Sequence, residues 1–167
     1  MTHTIGTNDI DTTVAAGDSV ARYLEPGWIT RNVFNRLMER LARWGVSVRG
    51  SRQLAVRGRR SGEWKTVPVN PLDFEGERYL VAPRGETQWV RNIRAAGGGE
   101  LRLGRRTEPI VVTELADADK PAVIREYVRR WKAEVGQFFE GIDEGSSDAE
   151  LLAVAPGFPV FRISGAA

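Results

Sequence analysis

Residues 51–82, SRQLAVRGRRSGEWKTVPVNPLDFEGERYLVA, hold three short apolar runs punctuated by Gly and Pro. Leu54-Ala55-Val56-Arg57, Lys65-Thr66-Val67-Pro68-Val69-Asn70-Pro71-Leu72 and Arg78-Tyr79-Leu80-Val81-Ala82 are each short and edged by Gly or Pro, which predicts strands. Gly58 to Gly62 joins the first two, and Glu75-Gly76 supplies a tight turn before the third. Proline has no N–H to give to a ladder, so Pro68 or Pro71 belongs at a bulge or a sheet edge.

Working outward, Thr87 to Ala96 predicts a helix with Thr87 as N-cap, Trp89, Val90 and Ile93 on one side, and Gly97 to Gly99 ending it. Glu100 to Leu103 and Thr107 to Val112 flank Gly104-Arg105-Arg106 as a hairpin. A helix follows from about Asp117 to Lys132 with Pro121 in its first turn, then a short helix near Asp148 to Val154 and a closing strand from Val160 to Ile163. Upstream, Val33, Phe34, Leu37, Met38, Leu41 and Trp44 recur at helical spacing until Gly45. Such a stripe packs on the domain core, or lies against a membrane surface or a partner. Residues 1–24 lack a sustained period and read as a flexible arm, leaving 25–167 as a single domain. About six strands without a regular βαβ alternation predict an α+β, mainly antiparallel β-barrel with flanking helices.

The chain of 167 residues has no cysteine and one histidine, His3, in the N-terminal arm. Thiolate metal sites, cysteine nucleophiles and histidine-based triads are therefore not expected, nor is a metal site or a catalytic side chain. No stretch has the roughly twenty apolar residues of a membrane span, and no export signal is evident, so a cytoplasmic location is expected.

Charge is more informative than its total of +2, because Arg49, Arg52, Arg57, Arg59, Arg60 and Lys65 face one nearby anion, Glu63. In Gly58-Arg59-Arg60-Ser61-Gly62 the glycines let backbone amides approach an anion, while Ser61, Arg59, Arg60 and Lys65 add a hydroxyl and charge. Arg84-Gly85, just before a helix N-terminus, offers a second anion site. A nucleic acid could use the same patch with Trp64 as a stacking platform, but the sequence carries no RNA-binding signature and is only mildly basic, so none is expected. Neither anion site supplies a nucleophile or a base, so in an enzyme the reactive group would belong to a bound cofactor.

Gly58-Arg59-Arg60-Ser61-Gly62, followed by Lys65-Thr66-Val67-Pro68-Val69, resembles the deazaflavin-dependent nitroreductases and quinone reductases, which bind coenzyme F420. Tyr79 to Gly85, Trp89-Val90-Arg91-Asn92-Ile93, Leu101-Arg102-Leu103-Gly104 and Ala155 to Phe161 agree in order with that family, so the resemblance covers roughly residues 28–163. It implies a split β-barrel holding F420, an 8-hydroxy-5-deazaflavin with an oligoglutamate tail. By that resemblance Arg59, Arg60 and Lys65 meet the phosphodiester and the tail, and Arg84 the phosphate region. Pro68, Trp89 and Asn92 border the ring and ribityl chain, and Ser61, Thr66 and Gly85 complete the cofactor-binding set.

The implied reaction is hydride transfer from reduced F420 to a quinone, an activated alkene or a nitro compound. The sequence departs from the nitroreducing members, which place serine at Pro83 and tyrosines around Gln137-Phe138-Phe139. Phe138 and Phe139 could close an apolar acceptor pocket but donate no proton, which leaves the acceptor open. The missing hydroxyls also suit a non-catalytic F420-binding or storage protein. Nothing in the sequence fixes an oligomeric state.

Overall fold

Alternating side chains and Gly/Pro punctuation produce seven strands among the residues that the computed structural model describes, 50–165. In chain order they and three α-helices are β1 (Arg52–Arg57), β2 (Trp64–Val69), β3 (Leu72–Phe74), β4 (Glu77–Val81), α1 (Gln88–Ala96), β5 (Gly98–Leu103), β6 (Arg106–Glu114), α2 (Pro121–Val135), α3 (Asp148–Val154) and β7 (Val160–Gly165). The arm 1–24 and the amphipathic stripe ending at Gly45 lie outside the described residues. Among the described residues no helix is long and apolar enough to cross a membrane.

The strands form one antiparallel sheet in the order β2-β1-β5-β6-β7-β4-β3. The expected six strands become seven because Asn70-Pro71 breaks the run from Lys65 to Leu72, Pro71 having no N–H for a ladder. The two fragments, β2 and β3, are opposite edges of the sheet although only Asn70 and Pro71 separate them. Three Cα steps reach about 11 Å at most. The sheet therefore curls until its edges nearly meet, and this is the split barrel.

Pro68 sits on the edge strand, as its chemistry requires. Gly58 N–H bonds to Glu63 C=O at 2.8 Å, and counting back by twos along the β1–β2 register leaves the Gln53/Pro68 pair at a position without cross-strand bonds. The nitrogen of Pro68 thus faces the open edge, where no donor is needed. Glu75 and Gly76 both have positive φ (51° and 80°), the geometry of a two-residue hairpin turn, as expected from the sequence.

Period-2 alternation splits the core across the two faces of the sheet. Leu80 and Phe161 point to the inner cluster with Leu54, Val56, Val90, Ile93 and Leu101, whereas their neighbours Val81 and Val160 point to the other face. There they pack against α2 and α3 through Ile124, Tyr127, Trp131 and Leu151. The expected helix from Asp117 begins instead as a 3-10 turn, Asp117–Asp119, and the α-helix starts at Pro121, whose missing N–H suits the first turn. Buried Lys120 ties this junction to the third helix's end, bonding Asp117 Oδ1 at 2.5 Å and Ala155 O at 3.2 Å.

Only the first of the three consecutive glycines ends α1. Gly97 is the left-handed C-cap (φ 70°), bonding Ile93 O, while Gly98 and Gly99 begin β5. There a Cβ on Gly99 would stand 2.5 Å from Ala55 O, and one on Gly98 nearer still to Ile110 O. Gly99→Ala is therefore expected to destabilise the fold by about 1–3 kcal/mol, the usual result of overpacking, read as a lower urea midpoint at unchanged slope.

Candidate functional site

The loop between β1 and β2 folds back on itself because Gly62 adopts φ 66° and its N–H bonds Gly58 O at 2.8 Å. Arg57 Nη1 donates to Gly62 O at 3.0 Å, and Ser61 Oγ accepts from Glu63 N–H at 3.3 Å, so the serine hydroxyl braces the turn from inside. The turn is docked on α1 mainly by Asn92. Asn92 Oδ1, buried in the second turn of that helix, accepts from the Arg59 backbone N–H at 3.3 Å and from Arg59 Nη1 at 3.1 Å. Arg59 Nη1 also reaches Gln88 Oε1 at 2.9 Å. Arg59, expected to meet a ligand's charged tail, thus gives part of its guanidinium to positioning the turn.

Arg60 is exposed and makes no hydrogen bond or ion pair among the described residues. Lys65 is 57% exposed and pairs with Glu63 at 2.8 Å, a contact that holds the Glu63 carboxyl below the usual carboxylate range. Strand alternation puts Lys65 on the face of Val67, and Thr66 and Pro68 on the other, so these three residues surround the open edge of β2. Trp64 is less available than the sequence suggests, since the Arg57 guanidinium covers its ring at 4.2 Å and that of Arg102 stands at 5.3 Å.

Between β4 and α1 the chain makes a tight turn through half-buried Arg84 and buried Gly85 (φ 72°), with Gly85 N–H on Ala82 O at 3.0 Å and Thr87 N–H on Gly85 O at 2.7 Å. Thr87 is the N-cap of α1, as expected, but its side chain makes no capping bond. Its Oγ1 is buried and has no hydrogen-bond partner among the described residues. A nine-residue helix whose N-terminus carries neither a side-chain cap nor an acidic residue in its first turn presents unpaired N–H groups and the positive end of the helix dipole. Uncapped amides and a buried orphan hydroxyl beside a cationic turn have the chemistry to accept an anion. In the sequence Thr87 reads only as a cap and Gln88 carries no signal; a cap side chain looks the same in sequence whether or not it is used.

Trp89 has a mixed position, half-buried on α1 with its ring 5.8 Å from that of Phe161. Phe138 and Phe139, expected to wall an acceptor pocket, belong instead to the core beneath α2 and α3. Phe139 is 2% exposed and stacks on Phe158 at 4.4 Å, 19° from parallel, and half-buried Phe138 packs against the same cluster. With both faces among core side chains, Phe139 has no surface left for a ligand. The phenol nearest in sequence, Tyr127, is buried in that cluster as well, where desolvation pushes its pKa up from the ordinary phenol value. Among the described residues no group of metal-ligating side chains comes together.

A family model described as F420H(2)-dependent quinone reductase matches residues 28–143. No curated protein matches the chain. Among solved structures, the Agrobacterium tumefaciens protein Atu2129, of unknown function, aligns with a TM-score of 0.51 at 16% identity, over 70% of this chain and 48% of its own. An F420-H2 dependent reductase (FDR-A) aligns with a TM-score of 0.48 at 18% identity, over 70% of this chain and 95% of its own. A structure described as a domain-swapped dimer gives 0.48 at 20% identity, over 82% of this chain and 97% of its own. At these identities a structural likeness speaks to the fold alone.

Proposed function

Since the chain belongs to the F420H(2)-dependent quinone reductase family, with coenzyme F420 as cofactor, we propose that it reduces a small electrophilic acceptor, a quinone or an activated alkene, by hydride transfer. The observation that carries the placement of the cofactor is the uncapped N-terminus of α1 with the buried, unpartnered hydroxyl of Thr87. The residues suit this polyanion. In this reading the α1 amides, Thr87 and Arg84 hold the phosphodiester, and Arg60 and Lys65 follow the glutamate tail along the open edge of β2. Pro68, Thr66, Trp89 and Asn92 border the ribityl chain and ring.

Bound and reduced, F420 supplies the hydride from its C5 carbon. The chain supplies no acid or base to that step. Its residues would hold the ring beside the apolar inner cluster, which would limit the approach of water, and would offer backbone N–H groups to negative charge. A rigid anchor at the phosphodiester is what sets ring orientation, so the docking of the Gly58–Gly62 turn by Asn92 belongs to the same function.

Isothermal titration with oxidised F420, and with FMN in parallel, tests the cofactor site. Micromolar or tighter binding of F420 with none of FMN is the expected result, and binding of neither rejects the site. Acceptor-dependent oxidation of F420H2 across quinones and enones then tests the reaction. The hydroxyl-free Pro83, just before the turn into α1, favours a second reading, a protein that binds F420 without turnover; tight binding with no oxidation by any acceptor would select it.

Arg60→Ala and Lys65→Ala are each expected to weaken F420 binding about two- to fivefold, the scale of exposed charge pairs. The loss should shrink as salt rises, and should be larger for F420 with a longer tail. Equal affinities across wild type, variants and salt concentrations would remove the tail contacts.

A further inference from the structure

Arg94, in the last turn of α1, divides its guanidinium between two carboxylates. Nε and Nη2 meet the two oxygens of Glu114 at 2.6 Å each, a fork onto the end of β6, and Nη1 reaches Glu86 at 2.8 Å. Helical side chains lean toward the N-terminus of their helix, which lets a residue in the last turn reach the loop before the first. All three side chains are partly buried, at 37%, 31% and 21% exposed for Arg94, Glu114 and Glu86. The geometry is more constrained than that of a solvated surface pair.

Glu86 directly precedes the N-cap Thr87. A carboxylate at that point has an evident alternative: to turn onto the open N–H groups of α1, where the helix dipole favours negative charge. There it would take the position of an incoming anion, or repel one. It does neither, since α1 has no side-chain cap and the Glu86 carboxylate lies on Arg94.

We propose that Arg94 is a positioning residue which holds the Glu86 carboxylate away from the N-terminus of α1 and so keeps that N-terminus open to the cofactor's phosphodiester. The inference rests on the cofactor placement proposed above. Arg94 touches no ligand itself; it acts by restraining a built-in competitor.

The test is titration of oxidised F420 into the full chain as wild type, Arg94→Gln, Glu86→Gln, and the doubles Arg94→Gln/Glu86→Gln and Arg94→Gln/Glu114→Gln, with a thermal melt of each to establish folding. Arg94→Gln is expected to bind about tenfold more weakly, the scale of one charge acting at a helix terminus. Removing Glu86 in that background should restore affinity to near wild type, whereas removing Glu114, which changes net charge equally, should not. Glu86→Gln alone should bind like wild type, because its carboxylate is already held away.

Wild-type affinity in Arg94→Gln would overturn the proposal. So would weak binding that Glu86→Gln fails to rescue, which would mark a purely structural role, or equal rescue by both doubles, which would mark a net-charge effect. A tenfold gain in Glu86→Gln alone would show that Arg94 does not restrain the carboxylate. Failure of wild type to bind F420 is a different result: it removes the cofactor placement, and this inference with it.

Discussion

Phe139→Ala is expected to lower the unfolding free energy by about 3–5 kcal/mol, the cost of truncating a fully buried aromatic, while the folded variant binds F420 as wild type does. Phe139 stacks on Phe158 and has Tyr127 at 6.3 Å between ring centroids, with 2% of its surface exposed. Its removal leaves a cavity bounded by Tyr127, Phe158 and their neighbours, and rigid rings collapse poorly into a void. For a chain of 167 residues the corresponding fall in melting temperature is on the order of 10 °C. The measurement is a urea or thermal melt paired with an F420 titration at a temperature where the variant is folded. A Phe139 lining an acceptor pocket would give the reverse pattern: little change in stability, and a rise in the KM for the acceptor.

Asn92→Ala is expected to weaken cofactor binding about tenfold or more, because it removes the acceptor that docks the Gly58–Gly62 turn on α1. Its Oδ1 receives the Arg59 backbone N–H and one guanidinium N–H; the backbone donor loses its partner outright, while Arg59 Nη1 keeps Gln88 Oε1. One of the two bonds is charge-assisted, so about 2–3 kcal/mol of stability should go as well. Asn92→Asp separates the contributions. It keeps the acceptor and strengthens the bond to Arg59, so the turn stays docked and the melt stays near that of wild type. The added negative charge beside the proposed anion site should still weaken F420. Equal affinity in wild type, Asn92→Ala and Asn92→Asp would detach the turn from cofactor binding.

The strands around Gly58–Gly62 and Glu75-Gly76 were legible because alternation and turn chemistry are local. The helix at Asp148–Val154 was legible for the same reason, and Ser147 with Glu150 forms the capping box at its start. The assignment of β2 and β3 to opposite edges was not, since strand order depends on partners far away in the chain. Phe138-Phe139 shows a second limit: an aromatic pair after a helix has the same pattern whether it faces a ligand or a core. The contacts that build the site have no sequence signature either. Arg59 and Asn92 stand 33 residues apart and Arg94 and Glu114 stand 20 apart, and neither separation follows a helical or strand period. The cationic turn and the family likeness were visible because each is a contiguous run of residues.

The place of β7 between β6 and β4 bears on how the molecule is made. Without residues 160–165 the sheet is two separate ribbons, β2-β1-β5-β6 and β4-β3, and β7 follows every one of these strands in the chain. A nascent chain therefore emerges from the ribosome with two unpaired inner edges that only its latest strand can join. Assembly waits on a contact of long sequence separation, the slow kind. Until then β4 and β6 are templates for the wrong neighbour, including the β7 of another copy.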